Sequence, residues 1–123
     1  MMYGRMYALA AALGLALTSG AAQAAGDAAA GEKDFAKACK MCHPMKADGK
    51  GMGPYLGGVA GGKSGSVAGF KYKGIDGSKT WDDANLDAFL TDPKAVFPKS
   101  GMPTKTADAA KRANLIAYMK TLK

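Results

Sequence analysis

One short motif constrains what this chain can fold around more than any other feature. Cys39 and Cys42 are separated by two residues, and His43 follows directly. Residues three apart in a helical turn face the same way, so both thiols can reach the two vinyl groups on one edge of a porphyrin. The imidazole of His43 then lies under the ring. The motif therefore predicts one haem c, bound covalently through Cys39 and Cys42, with His43 as a ligand of the iron.

Other uses of a Cys-x-x-Cys pair fit this chain less well. A thioredoxin-like redox pair requires a βαβ context, which the sequence does not show. A structural zinc ion requires four ligands, and the chain has only two cysteines and one histidine. A simple disulfide between the two cysteines stays open as an alternative, because the chain is predicted to be exported.

The first residues have the pattern of a signal peptide. Arg5 supplies a positive start, and residues 6–17 form an apolar stretch of 12 residues, which is too short for a bilayer that requires about 20. Residues 22–24 have the small-x-small form of a cleavage site. We therefore expect a signal peptide over residues 1–24, one domain over residues 25–123, and a periplasmic location. An uncleaved membrane anchor is the alternative.

The charge balance favours acidic partners. The chain has 17 basic and 10 acidic residues, a net charge of +7, which becomes +6 when Arg5 is removed with the signal peptide. Export argues against nucleic acid as the partner, and the lysines form no run of five. We expect a monomer that docks on acidic protein surfaces and is not inserted in a membrane after cleavage. A basic charge that serves only solubility is equally compatible with these numbers.

The apolar spacing predicts an all-α chain with three main helices and long loops. The predicted helices are residues 28–40 after an Asp27 cap, a segment that begins with a capping box at Thr80 and is stopped by Pro93, and residues 107–121 after a Thr106 cap. Residues 57–79 are rich in glycine and lack periodicity. We expect them to form one long loop along the lower edge of the haem.

The second iron ligand is predicted by elimination, since the chain has no second histidine. Four methionines are poorly placed because they lie close to His43 or on a helical stripe: Met41, Met45, Met52 and Met119. Met102 lies between Pro98 and Pro103, far along the chain, so a stiff segment can bring its sulfur to the opposite face. Use of Met102 as flexible core filler, a lysine ligand and an open position are the alternatives.

Tyr72 and Trp81 bracket the end of the glycine-rich loop. Each combines an apolar body with one hydrogen-bond donor, which suits a buried haem propionate. Ordinary core packing is the alternative for either residue alone.

A haem iron held by His43 and Met102 predicts an electron carrier. A neutral thioether favours ferrous iron and raises the reduction potential, and both axial positions are filled. The sequence offers no nucleophile and no acid–base pair, so we expect no enzymatic activity. One alternative is a ligand-binding or weakly catalytic haem protein with a labile sixth position. Another is a cytochrome subunit permanently docked to one oxidoreductase.

The motifs together resemble those of class I cytochromes c of the bacterial, mitochondrial-like branch. The resemblance covers residues 31–122. It rests on Gly31 and Phe35, the Cys-x-x-Cys-His motif, Gly53-Pro54-x-Leu56, Gly65-x-x-x-Gly69-Phe70-x-Tyr72, Trp81, Leu90, Pro93, Pro98, Met102 and residues 115–118. It implies the cytochrome c fold around one covalent haem, with the first and last helices crossing near Gly31, Phe35 and Tyr118.

The resemblance also implies roles and partners. The Pro54 carbonyl would accept a hydrogen bond from His43, Tyr72 and Trp81 would serve a propionate, and lysines near the haem edge would guide partners: Lys37, Lys94 and Lys99. Such partners are a cytochrome bc complex, a terminal oxidase, a photosynthetic reaction centre or a periplasmic dehydrogenase. The chain departs from mitochondrial relatives at Gly62, where they have an arginine near the propionates, and at Phe89, where they have a tyrosine near the methionine.

Overall fold

The structure is a computed structural model that describes residues 26–123. The predicted signal peptide and its cleavage site lie outside the described residues. Within this part the chain is helical, with no strand and a single isolated bridge between Lys63 and Thr80. Its four helices are α1 (Ala28–Ala38), α2 (Asp83–Thr91), α3 (Pro93–Val96) and α4 (Ala109–Met119). The predicted all-α architecture is confirmed, with one short helix added to the three expected.

The first and last helices pack together at a glycine. A Cβ atom on Gly31 would overlap the backbone carbonyl of Asn114, so only glycine allows α1 and α4 to approach this closely. The backbone N–H of Asp27 donates to Asn114 Oδ1 at 2.8 Å, and the rings of Phe35 and Tyr118 lie 5.3 Å apart. The helix contact implied by the resemblance is therefore confirmed.

Asp27 caps α1 as predicted, but the predicted caps of the two later helices are wrong by two residues. Asp82, rather than Thr80, accepts from the N–H of Asn85 at 2.8 Å and begins α2. Thr80 instead takes part in the bridge to Lys63. Aspartate is favoured over threonine at an N-cap, and in both helices the aspartate lies directly before the first helical residue.

The last helix shows the same shift. Asp108 accepts from the N–H groups of Ala110 and Lys111 at 2.9 and 3.1 Å, so α4 begins after it. Thr106 donates its N–H to the carbonyl of Leu90 at 2.8 Å, which holds it outside the helix. The helices also end about two residues earlier than predicted, α1 at Ala38 and α4 at Met119.

Pro93 ends one helix and begins another. Asp92 is the C-cap of α2 and the N-cap of α3, where its side chain accepts from Lys94 N–H at 3.2 Å. Pro93 then occupies the first helical position, which tolerates a residue without an N–H. The predicted stop at Pro93 is confirmed, and a short helix that was not predicted, α3, begins at the same residue.

The core is built by α1, α2, α4 and two loop aromatics. Its buried apolar residues are Phe35, Trp81, Leu86, Phe89, Leu90, Phe97, Leu115, Ile116, Tyr118 and Met119. A second set packs against this core but stays partly exposed: Cys39, Leu56, Val59, Ala60, Ile75, Val96, Met102 and Leu122. Apolar side chains left half-covered around a core are what a large apolar cofactor would complete.

The glycine-rich loop is tied down from within by Ser64, which is 1% exposed. Its hydroxyl lies 2.5 and 3.0 Å from the carbonyls of Asp76 and Lys79, and it accepts from the N–H of Lys79 at 3.1 Å. These bonds close residues 64–79 into an ordered loop, as expected for a long loop with a function. None of the helices in residues 26–123 has both the length and the apolarity to cross a membrane.

Candidate haem site

The two cysteines and the histidine lie in one turn that continues α1. The N–H of Cys39 donates to Phe35 at 2.9 Å, and the N–H groups of Cys42 and His43 both donate to the carbonyl of Cys39, at 3.1 and 3.0 Å. Both thiols are free and partly buried, so the disulfide alternative is not the arrangement seen here. Burial raises the pKa of the Cys39 thiol, and the charges of Asp34 and Cys42 raise it further.

His43 is oriented by one short hydrogen bond. Its Nδ1 lies 2.7 Å from the carbonyl oxygen of Pro54. A carbonyl only accepts, so Nδ1 carries the proton and Nε2 keeps its lone pair for a metal. Burial lowers the pKa of His43, and the bond to Pro54 offsets this only in part. The imidazole is therefore neutral at pH 7, which is the form that binds iron.

Gly53 packs against the face of the same imidazole. A Cβ atom at this position would lie 2.5 Å from Cε1 and 2.7 Å from Nδ1 of His43. The N–H of Gly53 donates to the carbonyl of Cys42 at 2.9 Å, which closes the loop after the motif. Gly53 and Pro54 together hold the ring on one side and at one nitrogen, so the direction of Nε2 is set before any cofactor binds.

The five methionines considered as iron ligands differ in how exposed their side chains are. Met41 and Met52 are each 85% exposed and Met45 is 40% exposed, whereas Met119 is buried in the core at 6%. Met102 is half-buried against the core, and its N–H donates to Ser100 Oγ at 3.2 Å. Of these five, Met102 alone combines contact with the core and a side chain that is not already enclosed.

The two aromatic candidates lie in different surroundings. Trp81 is buried, with its ring 4.9 Å from Phe89 and 6.1 Å from Phe97. Its backbone N–H donates to Gly62 at 2.7 Å. Tyr72 is half-buried, edge-on to Phe70 at 4.9 Å. Its hydroxyl oxygen accepts from Val67 N–H at 3.0 Å, which leaves the phenolic proton available for another acceptor. Packing against other core aromatics explains most of the burial of Trp81, but it explains less of the burial of Tyr72.

The residues present fit a covalently bound haem. Two free thiols, a neutral imidazole with an available nitrogen and a half-buried thioether supply the attachment points and both kinds of axial ligand. The half-covered apolar side chains around the core supply the lining. Within residues 26–123, no group of three or more histidine, cysteine or acidic side chains is placed to hold a metal ion on its own. Two thiols, one imidazole and one thioether are a donor set that suits an iron held in a porphyrin.

Several lysines lie on the surface of the described chain. Lys37, Lys94 and Lys99 are all exposed. A groove of about 390 Å³ runs between the end of α1, the segment before α4 and α4 itself, and Lys37 lines it together with Lys105 and Lys111. Asp34 and Asp108 also line this groove, so its charge is mixed but positive overall.

Three residues that shape the site were not identified from the sequence. Ser64 holds the two ends of the glycine-rich loop together through its hydrogen bonds. Gly74 lies so close to Lys99 that a Cβ atom on the glycine would overlap the Lys99 carbonyl. Arg112 joins residues 102–108, the Met102 segment, to α2. No pattern marks them, because a buried serine, a loop glycine and a helical arginine are common in any chain. Each acts through partners at least five residues away.

Comparisons with known proteins give the same assignment. The family model for cytochrome c matches residues 28–123. The c-type cytochrome cy of Rhodobacter capsulatus is 46% identical over 101 residues, which cover 79% of this chain and half of that protein's length. Cytochrome c2 of Rhodomicrobium vannielii is 41% identical over 107 residues, covering 84% of this chain and 85% of the relative.

Solved structures show the same fold. Cytochrome cH from Methylobacterium extorquens matches with a TM-score of 0.68 at 43% identity, covering 78% of this chain and 99% of the other. Cytochrome c2 from Rhodospirillum centenum matches with a TM-score of 0.71 at 30% identity, covering 79% and 98%. The relatives are electron carriers, so a ligand-binding or catalytic role is not favoured. This chain belongs to the cytochrome c family, carries haem c covalently and serves as an electron carrier rather than an enzyme.

Proposed function

We propose that the electron carrier uses His43 and Met102 as its two axial ligands, with thioether links from Cys39 and Cys42. The bound haem supplies a one-electron couple. The observation that carries the proposal is the 2.7 Å contact between His43 Nδ1 and the Pro54 carbonyl, because it leaves Nε2 directed and neutral. A hydrogen bond of this kind makes the imidazole a stronger donor to the metal.

Met102 completes the pair as a soft and neutral ligand. Its half-buried position against the core and its bond to Ser100 support this role. A thioether favours ferrous over ferric iron, so a His43–Met102 pair gives a high reduction potential. Both ligands are held by protein contacts, so little has to move when an electron arrives or leaves. Small reorganisation suits a carrier.

Tyr72 and Trp81 are proposed to donate hydrogen bonds to a propionate. The free phenolic proton of Tyr72 supports its part. Trp81 is fixed by backbone bonds to Gly61 and Gly62. Its ring position therefore depends in part on Gly62, which stands where mitochondrial relatives have an arginine. The neighbouring Lys63 is exposed. We expect the propionates of this protein to be less neutralised than those of mitochondrial relatives.

The proposed setting is the periplasm, reached through cleavage of residues 1–24. The protein would act as a monomer that exchanges electrons with acidic surfaces of redox complexes, such as a cytochrome bc complex, a terminal oxidase, a photosynthetic reaction centre or a periplasmic dehydrogenase. The lysines along the groove beside α1 support this choice, since opposite charges steer encounters. Raising the ionic strength should slow electron transfer to such a partner.

A carbon monoxide difference spectrum of the reduced holoprotein at neutral pH tests the ligand pair. We expect no binding by the parent protein, because both axial positions are held. Met102→Ala should bind carbon monoxide fully and should have a lower reduction potential. Met52→Ala is the matched control, because its side chain is 85% exposed, and it should behave like the parent. An unchanged spectrum and potential in Met102→Ala would refute the ligand assignment.

A further inference from the structure

Arg112 is the most enclosed cation that joins separate elements of the described chain. Its side chain is 12% exposed. Nε donates to Asp87 Oδ1 on α2 at 2.7 Å, and Nη1 lies 2.9 Å from the carbonyl oxygens of both Thr106 and Ala107. One guanidinium on α4 thus bonds α2 and the segment that leads from Met102 to α4. These bonds use the fork of donors that only arginine has.

The segment after Met102 depends on few other bonds. Residues 102–108 have no regular secondary structure. Between residues 103 and 107 the backbone donates one hydrogen bond, from the N–H of Thr106 to the carbonyl of Leu90 at 2.8 Å, and Lys105 adds a solvent-exposed ion pair with Asp92 at 3.6 Å. Both carbonyls bonded by Arg112 belong to this segment, four and five residues after Met102. Arg112 therefore supplies two of the three hydrogen bonds that residues 103–107 make.

Asp87 directs the guanidinium toward the segment. Its carboxylate is half-exposed, but the arginine is nearly covered, so the pair is screened less than a surface ion pair. Asp87 lies on α2, the helix that also supplies the Leu90 carbonyl. The segment is consequently bonded to one rigid element through two routes, one direct and one through Arg112.

We propose that Arg112 is a positioning residue for the iron: by fixing Thr106 and Ala107 it limits how often Met102 leaves the sixth coordination position. This inference rests on Met102 being the ligand, as proposed above. The bonds from Arg112 lie on the C-terminal side of Met102, opposite to Ser100 and the contacts of Gly101 and Gly74. Releasing them lets the segment swing away while the other side stays attached.

The chain offers a matched control for a simple helix-to-helix brace. Lys120, the C-cap of α4, bonds Asp83 on α2 at 2.8 Å, and both side chains are about half-exposed. This pair joins the same two helices as Arg112 and Asp87 but does not contact residues 102–108. If bracing of α2 against α4 were what mattered, Lys120→Gln and Arg112→Gln would have similar effects.

The test is the rate at which imidazole binds the ferric holoprotein, because binding at saturating imidazole is limited by departure of the sixth ligand. Arg112→Gln, which keeps most of the side-chain stem, should bind about tenfold faster than the parent, which corresponds to about 1.4 kcal/mol. Arg112→Lys should lie between the two, since one ammonium cannot copy the fork. Lys120→Gln should stay within about twofold of the parent. The methionine-to-iron absorption band should weaken in the same order.

Each outcome decides the proposal. Equal rates for Arg112→Gln and Lys120→Gln, or no change in either, would overturn the positioning role. If Arg112→Gln yields no holoprotein, Arg112→Lys and Asp87→Asn provide the same comparison, and both must exceed Lys120→Gln. Met102→Ala is measured alongside. If it binds imidazole no faster than the parent, the ligand assignment fails, which is a separate result from failure of the Arg112 inference.

Discussion

The two sides of the proposed haem site, with His43 on one and Met102 on the other, are built in different ways. On the histidine side, the groups that bond or closely contact the imidazole lie within residues 39–54: the motif turn, the Gly53 backbone against the ring and the Pro54 carbonyl. On the methionine side, most of the groups that hold the Met102 segment come from distant parts of the chain. They are the Lys73 carbonyl, the Leu90 carbonyl and Asp87, which bonds Arg112.

This difference indicates how the two ligands behave. A ligand fixed by its own sequence neighbourhood is positioned as soon as that loop forms, at little entropic cost. A ligand held by remote elements is positioned only when the whole chain has folded, and it is the first to be released when any of those elements loosens. We therefore expect the histidine side to tolerate distant changes and the methionine side to respond to them.

The largest effect is expected for His43→Ala. Removing the imidazole leaves a cavity between Gly53 and Phe35 and deprives the iron of its locally fixed ligand, so we expect loss of nearly all low-spin holoprotein. The measurement is the absorption spectrum and the yield of covalently bound haem after expression. Met45→Ala, two residues away and 40% exposed, is the control and should give parent-like protein. A low-spin His43→Ala spectrum would show that another group replaces the imidazole.

Gly74→Ala tests the methionine side. Gly74 has φ of +74°, and a Cβ atom would overlap the carbonyl of Lys99, three residues before Met102. We expect a loss of about 2–4 kcal/mol in the free energy of unfolding, from backbone strain and overlap together, with weakening of the methionine-to-iron band. Gly69→Ala has the same kind of φ, +77°, and open space, so it should cost about 1–2 kcal/mol and leave the band intact. Identical bands in both variants would contradict the comparison.

Gly53→Ala is the corresponding test of the histidine side. The added methyl would lie 2.5 Å from Cε1 of His43, so the ring must shift and the bond to Pro54 must lengthen. We expect about 1–3 kcal/mol of destabilisation, measured by denaturant unfolding of the holoprotein. Gly77→Ala is the control, because a Cβ atom there would meet only the Ser64 carbonyl at 3.7 Å. A Gly53→Ala protein as stable as Gly77→Ala would mean that the ring does not depend on this contact.

Phe89→Tyr tests the methionine side of the proposed site under conditions in which both proposed ligands are expected to stay bound. Phe89 is buried 4.9 Å from Trp81 and 6.3 Å from Phe97, at the position where mitochondrial relatives have a tyrosine near the methionine. The resemblance implies that a hydroxyl there would donate to the Met102 sulfur, so we expect both proposed ligands to be kept and the reduction potential to change measurably. Potentiometric titration provides the value. An unchanged potential would remove Phe89 from the tuning of the iron.

The smallest effect is expected for Asp76→Asn, which removes one charge from the glycine-rich loop. Hydrogen bonds from Ser78 lower the pKa of Asp76 below its ordinary value of 3.8. The charge of Asp76 therefore stabilises the fold fully at pH values above its ordinary pKa of 3.8. This stabilisation is lost as the pH falls through the lower pKa of the folded protein. We expect a slightly lower Tm for the variant at pH 7 and no difference in strong acid. A difference that persists in acid would mean that the charge is not the cause.

Much of the fold and half of the site could be predicted from local patterns. The haem motif, the Asp27 cap, the stop at Pro93 and the long loop each depend on residues close together in sequence, and the structure agrees with them. The caps at Thr80 and Thr106 were wrong for a physical reason. Both threonines are taken by tertiary partners, the Lys63 bridge and the Leu90 carbonyl, and an aspartate two residues later caps instead.

The sequence by itself determined the histidine side of this protein: two thiols and an imidazole at a spacing set by one helical turn, followed by the glycine and proline that orient the ring. Those interactions span at most fifteen residues, so local chemistry is enough. The tertiary structure alone decided how the Met102 segment is held, through Gly74 against Lys99 and the bond from Arg112 to Asp87. Such contacts join residues that only folding brings together, and no spacing along the chain reveals them.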